Sequence, residues 1–285
     1  MNWIIASLML FVSSVVLYLF VRKSQLTKIS DSLNNLAMYA LPTVIFFIVA
    51  IIQKKSFVIS WENFVIIFFA SFFFSYIGSV CSLKSIKLAP NPGYSLIISK
   101  SYVIFTTIVA VLFLNAHISV RNAIAIILIV FFSALVMISK SKKQTNNKQW
   151  ILYAFGAFFG WGFLALVSKY LLNQGVDIII YSFYIGVFVS IMIIVEMTWQ
   201  KIQIPKTKTS EVVLLFAIGL AAFFLNLFMQ IGFMLAPNIG YINAVNASSI
   251  SMVALLSAYF FKDELTVRKI IGVVGVTVGL MLLLI

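Results

Sequence analysis

The sequence predicts an all-α integral membrane fold of ten transmembrane helices, arranged as two inverted five-helix repeats. Three observations carry that expectation. The composition is too apolar for a water-facing surface, the chain divides into ten apolar runs of membrane length, and its second half echoes its first.

Over 285 residues the chain is 63% hydrophobic and 9% charged, with a mean hydropathy of +1.13. So few polar side chains cannot cover a soluble globule of this size. The net charge of +13 sits mostly in short connections between apolar runs, where bases face lipid phosphates and orient the spans. Nucleic acid is therefore not an expected partner. Cys81 is the single cysteine, which excludes an internal disulfide or a multi-cysteine metal site and marks it as a small packing residue. No cofactor or metal is expected, and no G-x-x-x-x-G-K-[ST] loop is present to bind a nucleotide.

A helix crosses a bilayer with about 20 apolar residues. The first run, 2–21, lacks a basic leader and a small-residue cleavage site before Arg22 and Lys23, so it is expected to be a retained span. Span 2 (34–53) stops at Lys54 and Lys55, and span 3 (61–82) stops before Lys84. Span 4 (93–114) opens after the prolines of "APNP", and span 5 (120–139) runs from Ser119, a good N-cap, to Lys140. Lys148 precedes span 6 (150–172), Gly175 and Asp177 precede span 7 (178–199), and Lys201 ends it. Span 8 (211–235) ends before Pro237, span 9 (240–261) ends at Lys262, and span 10 (267–285) starts after Thr266, another N-cap. The "FKDEL" stretch between spans 9 and 10 is internal, so it is a turn rather than a retention address; within it Glu264 and Arg268 stand four apart, in position to pair.

Ten spans put both termini on one face. Arg22, Lys23, Lys28, Lys84, Lys87, Lys140, Lys142, Lys143, Lys148, Lys201, Lys206, Lys208, Lys262, Arg268 and Lys269 fall on the opposite face, against Lys54, Lys55, Arg121 and Lys169 on the terminal one. The positive-inside rule places the richer face in the cytoplasm and both termini outside.

"APNPGY" at Ala89 to Tyr94 returns as "APNIGY" at Ala236 to Tyr241, an offset of 147 that continues without a gap for about thirty residues. Ser119 falls on Thr266 and Arg121 on Arg268. The chain thus divides into units 1–142 and 143–285. Because five spans is an odd number, the two copies cross the membrane in opposite senses. That inverted repeat is the architecture of alternating-access carriers, whose site lies near the bilayer midplane between the repeats.

In four stretches the chain resembles the drug/metabolite transporter superfamily, of the EamA type. They are "GAFFGWG" (Gly156 to Gly162), "APNIGYINAVNASS", the acidic turn "FKDELTVRK" and "IGVVGVTVGL" in the last span. The resemblance implies a cavity lined by spans 1 to 4 and 6 to 9, with spans 5 and 10 at the periphery. Where the family has Glu after span 4 this chain has His117, aligned with Glu264.

Lys100 lies seven residues into span 4, roughly 10 Å along the helix. An ammonium at that depth costs about 3 kcal/mol unless it meets a polar cavity or snorkels to the headgroups; a cavity lysine would suit a carboxylate or phosphate. Asn243 and Asn246 share a face of span 9, and Asn226 and Gln230 share one of span 8. Such amides either bind a substrate or join helices. Trp161, Tyr94 and Tyr241 either stack on a substrate or pack. Glu196, near the end of span 7, is either interfacial or a gating and coupling residue paired with Lys100 in one conformation. Gly275 and Gly279 form a small-residue face for close helix contact, within the bundle or between protomers.

No nucleophile and base, and no pair of acids, falls at membrane depth, so an enzyme is not expected. The expectation is a secondary active transporter in the inner (plasma) membrane. It would move a small polar, anionic or zwitterionic metabolite by alternating access, with export as the direction by family analogy. The lipid bilayer, a proton or counter-substrate, and a second copy of the chain are the other partners considered, as monomer or homodimer. Multidrug cation efflux and a non-transporting scaffold are the alternatives.

Overall fold

The computed structural model describes residues 1–27, 29–90, 92–138, 148–202 and 208–285. The unit boundary expected at 142 and 143 lies outside them, as do Lys28, Lys140, Lys142, Lys143 and Lys206 of the charge comparison. The described residues form ten helices long and apolar enough to cross a membrane: α1 Trp3–Ser24, α2 Asp31–Ile52, α3 Trp61–Leu88, α4 Gly93–Phe113, α5 Val120–Met137, α6 Gln149–Asn173, α7 Ile178–Trp199, α8 Thr209–Leu235, α9 Ile239–Phe261 and α10 Val267–Leu284. All ten lie on the expected spans. The largest differences are a longer α3, which carries Lys84 and Lys87 inside its last turns, and an α2 that begins at Asp31. The chain is a multi-pass, all-α membrane protein.

Sequence-local chemistry starts most of these helices. Asn2, Ser30, Ser60, Ser119, Asp177, Asn238 and Thr266 each accept a hydrogen bond from a backbone N–H in the first turn of the adjoining helix, satisfying one of the donors every helix start leaves over. Ser119 and Thr266 are the two caps expected from the sequence. At the other ends, Lys54, Lys201 and Lys262 adopt left-handed φ of 51° to 60° just beyond α2, α7 and α9. Each sets a positively charged residue just past the negative end of a helix dipole.

The face carrying both termini is the terminal face, and the opposite one the basic face. α5 packs along α10 at one end of the bundle, α1 against α8, α3 against α6, and α2 against α7. α9 is the central helix: every residue from Ile239 to Ser249 is buried. That segment is rich in Gly, Ala, Ser and Asn, small or hydrogen-bonding residues that let neighbouring backbones approach. Large apolar side chains such as Phe69, Phe131, Val213, Phe216 and Val274 are exposed on the outside, where lipid tails solvate them.

Three close approaches depend on glycine. Gly272, Gly275 and Gly279 of α10 lie against Phe132, Val136 and Ile129 of α5, so the small-residue face of α10 serves contact within the bundle. Gly240 of α9 lies on Thr107 of α4, so near that a side chain there would overlap the threonine hydroxyl. At the crossing of α3 and α6, a Cβ on Gly160 would stand 2.8 Å from Gly78 Cα and 2.9 Å from the Phe74 carbonyl. α3 is π-helical over Ala70–Tyr76, immediately before this crossing.

The crossing gives an asymmetric expectation. Gly160→Ala must push backbone away and should cost about 1 to 3 kcal/mol, as overpacking does, read as a lower melting temperature in detergent. Gly78→Ala meets its nearest atom at 3.4 Å and should be close to neutral. Equal effects would show that the crossing is looser than described.

Candidate functional site

Two of the helices that meet at the centre of the bundle depart from regular hydrogen bonding. Pro42 lies inside α2, where it removes one backbone donor, and the Thr43 hydroxyl donates to the Tyr39 carbonyl at 2.7 Å. α4 is interrupted at Ser101, whose N–H is shared between the carbonyls of Ile97 and Ile98 and whose hydroxyl also donates to Ile97 O at 2.7 Å. Residues two apart on a regular helix face different ways. The break lets Lys100 and Tyr102 line the same space.

That space is a cavity of about 170 Å³, lined by α1, α2, α3, α4, α6, α7, α8 and α9 and touched by neither α5 nor α10 among its described walls. The helices that line it are those the resemblance implied. Lys100 is the one formal charge among the described lining residues. Its ammonium lies beside the hydroxyls of Tyr18 and Tyr102, and Tyr102 in turn faces the Asn246 side chain. Ser14 donates to Asn246 Oδ1 at 3.0 Å and shares a 2.7 Å hydrogen bond with Ser249. A polar chain therefore runs from α4 through α9 to α1. Each group in it finds a partner inside the protein, as lipid surroundings require.

Asn243 Nδ2 donates to the Thr106 hydroxyl of α4 at 3.0 Å, so this amide both joins helices and lines the cavity. Asn226 Nδ2 donates to Ala222 O on its own helix at 2.9 Å, leaving its carbonyl oxygen for the cavity. Gln230, 8% exposed, holds a carbonyl oxygen with no hydrogen-bond partner in the cavity wall, and so does the Ser182 hydroxyl. Both atoms are buried behind the wall, where each costs about 1 to 3 kcal/mol. Trp161 supplies part of the apolar wall, with Leu17, Met38 and Phe46.

Tyr94 and Tyr241 stand elsewhere. Tyr94 is 44% exposed. Tyr241 is buried, donates to His117 O at 3.2 Å and packs on Trp3 with ring centroids 5.7 Å apart. Glu196 lines a second cavity, of about 210 Å³, between α2, α3 and α7 on the basic face. Gln200 Nε2 donates to it at 3.0 Å, and the Tyr76 hydroxyl faces it. In this conformation it is not paired with Lys100.

Sequence reasoning missed Tyr18, Tyr39, Ser75, Tyr102, Ser168, Tyr181 and Ser182, all of which line the central cavity. One of them had a signal. Ser7, Ser14 and Tyr18 recur at helical spacing, and a polar stripe on an apolar span points inward. The pairing of Tyr181 with Ser168, at 2.6 Å across α7 and α6, has no sequence pattern to reveal it.

The charged turn after α9 resolves differently from the expected Glu264 and Arg268 pair. Asp263 is the acid engaged: Arg22 of α1 holds it through Nε at 2.9 Å and Nη2 at 2.6 Å. Glu264 meets Lys269 through its backbone carbonyl only. On the terminal face Lys55 Nζ pairs with Asp177 at 2.8 Å. The guanidinium hydrogen bond holds the Asp263 carboxyl below its usual pKa of 3.8. A carboxylate lowered on folding stabilises the fold fully above its ordinary value and loses that contribution as pH falls through the lowered one. Asp263→Asn should therefore reduce thermal stability by on the order of 1 kcal/mol at neutral pH, and the gap to wild type should close only below pH 3.8. A gap that persists there would assign the loss to something other than the ion pair.

Among known proteins, residues 148–285 match the model of the EamA-like transporter family. A solved crystal structure, described only as that of a protein, superposes with a TM-score of 0.79, covering 98% of this chain and 96% of its own at 9% identity, a likeness of fold alone. No curated protein sequence matches the chain. The second half of the chain, residues 148–285, thus belongs to the EamA-like transporter family, and the whole chain shares its fold with a solved structure.

Proposed function

We propose that this membrane transporter is a secondary carrier that moves a small anionic or zwitterionic organic metabolite by alternating access, in the direction of export. The observation that carries the proposal is Lys100: a lone ammonium in a central cavity near bilayer mid-depth, with no acid among the described residues lining it. Such a site attracts a carboxylate or phosphate and disfavours the organic cations of multidrug efflux. A scaffold would have no use for a cavity that holds a lysine at this depth, which is costly in lipid surroundings.

The depth comes from helix rise. Lys100 enters α4 from the basic face and Asn246 enters α9 from the terminal face, each about seven residues or roughly 10 Å in. The inverted repeat is part of the same proposal. Adding five to each helix number maps the contact of α1 with α8 onto that of α6 with α3, and α1 with α9 onto α6 with α4. The pairs α2 with α7, α4 with α9 and α5 with α10 map onto themselves. Two units related in this way can rock about a fixed central site.

With the bases on the basic face, the positive-inside rule supports an inner-membrane orientation with both termini outside. The cargo pays for its movement from a gradient, as a proton or counter-substrate exchange. The transporter works as a monomer or a homodimer.

A thermal-stability screen of purified protein against amino acids, organic acids, nucleotides and sugar phosphates tests the site. At least one anionic or zwitterionic solute should raise the melting temperature of the wild type, as a ligand of the native state must. Lys100→Ala should abolish that rise. A solute that protects Lys100→Ala at full strength would overturn the lysine site.

A further inference from the structure

Among the described residues, the central cavity and the basic-face cavity share one lining residue, Tyr39. Its ring stands between them, and its hydroxyl shares a 3.3 Å hydrogen bond with Ser75 of α3. Ser75 is 1% exposed and belongs to the wall of the central cavity. The next residue, Tyr76, belongs to the wall of the other and faces Glu196. Two neighbouring residues of α3 thus face opposite compartments, and the Tyr39 to Ser75 contact is the partition.

The backbone on both sides of this partition departs from regular helix. Tyr39 lies three residues before Pro42, on a helix that has lost a hydrogen bond there. Ser75 and Tyr76 close the π-helical stretch Ala70–Tyr76. π-helical turns inside α-helices are uncommon and concentrate at functional sites. If this stretch returned to the ordinary i to i+4 pattern, the C-terminal part of α3 would turn about the helix axis relative to its N-terminal part. That C-terminal part carries Ser79, Leu83, Lys84 and Lys87, the α3 wall of the basic-face cavity. The Gly78 and Gly160 crossing lies at the junction, where two bare backbones in contact leave no side chains to interlock against a rotation.

We infer that Tyr39 and Ser75 form the barrier between the central site and the basic face, and that re-registering of the π-helical stretch of α3 opens it. The inference depends on the chain being a transporter and does not depend on the charge of its cargo. It makes the basic-face cavity a vestibule through which a solute reaches or leaves Lys100. Tyr39 is a positioning residue in this scheme, acting through the contact it keeps.

Thiol accessibility tests the barrier without a known substrate. In a Cys81→Ser background, Asn226→Cys places one thiol in the central cavity, and Lys208→Cys in a parallel sample reports which face a reagent reaches. The probe is 2-sulfonatoethyl methanethiosulfonate, which does not cross membranes, applied to right-side-out and inside-out vesicles. With Tyr39 intact, labelling of Asn226→Cys from the basic face should be slow. Tyr39→Ala should speed it at least roughly tenfold from that face alone, by raising the open population. Tyr39→Phe and Ser75→Ala remove the same hydrogen bond, so each should speed labelling about fivefold. Together they should do no more than either alone, because they share one interaction.

Rapid labelling from the basic face with Tyr39 intact would overturn the proposal. Unchanged rates in the variants would do so as well, and so would equal acceleration from both faces, which is the mark of general loosening. Ser75→Ala deletes one buried oxygen, so it keeps the test open should Tyr39→Ala fail to fold.

Discussion

Lys100 carries an ammonium to the middle of a membrane-spanning helix, where a charge without polar neighbours costs about 3 kcal/mol or more. The helices around it supply those neighbours: Tyr18 from α1, Tyr102 from α4 itself and, one step on, Asn246 of α9 with Ser14 of α1. Much else in the bundle results from keeping this chain of groups inside protein. α9 must be central, so its first half is small and polar. α4 must break at Ser101, because otherwise Lys100 and Tyr102 would point apart. α5 and α10, which contribute none of the described cavity walls, are joined by a glycine face and stand aside.

Two of the ion pairs join the halves of the chain where the membrane ends. Arg22 with Asp263 ties α1 to the turn after α9 on the basic face, and Lys55 with Asp177 ties the α2 to α3 connection to the start of α7 on the terminal face. Both tie the first half of the chain to the second. Both are partly solvated, so each is worth no more than about 1 kcal/mol. Lys169 shows the same economy, donating to the carbonyls of Phe233 and Met234 at the end of α8, where a helix leaves acceptors without partners.

The spans were legible because each of the ten apolar runs ends at a charge, a proline or a capping residue, and lipid leaves the backbone no alternative to helix. Part of the site was legible for the same reason: Lys100, Asn226, Gln230, Asn243 and Asn246 are polar groups where polar groups are expensive, and the structure lines one cavity with all five. Tyrosine and serine escaped notice because both also occur as ordinary packing and interface residues in membrane helices. The repeat drew attention equally to Tyr94 and Tyr241, yet those side chains serve the ends of α4 and α9. The π-helical stretch of α3 left no mark in the sequence, since Ala70 to Tyr76 reads as any apolar helix would.

Whether Lys100 serves a solute or only the fold is decided most directly by its own reactivity. A small amine-modifying reagent, applied to the folded protein and read by peptide mass spectrometry, should modify Lys100 measurably but more slowly than exposed lysines such as Lys148. Small organic anions should protect it, and neutral analogues of the same size should not. A Lys100 that stays unmodified, or that reacts at a rate indifferent to every anion, would contradict the account.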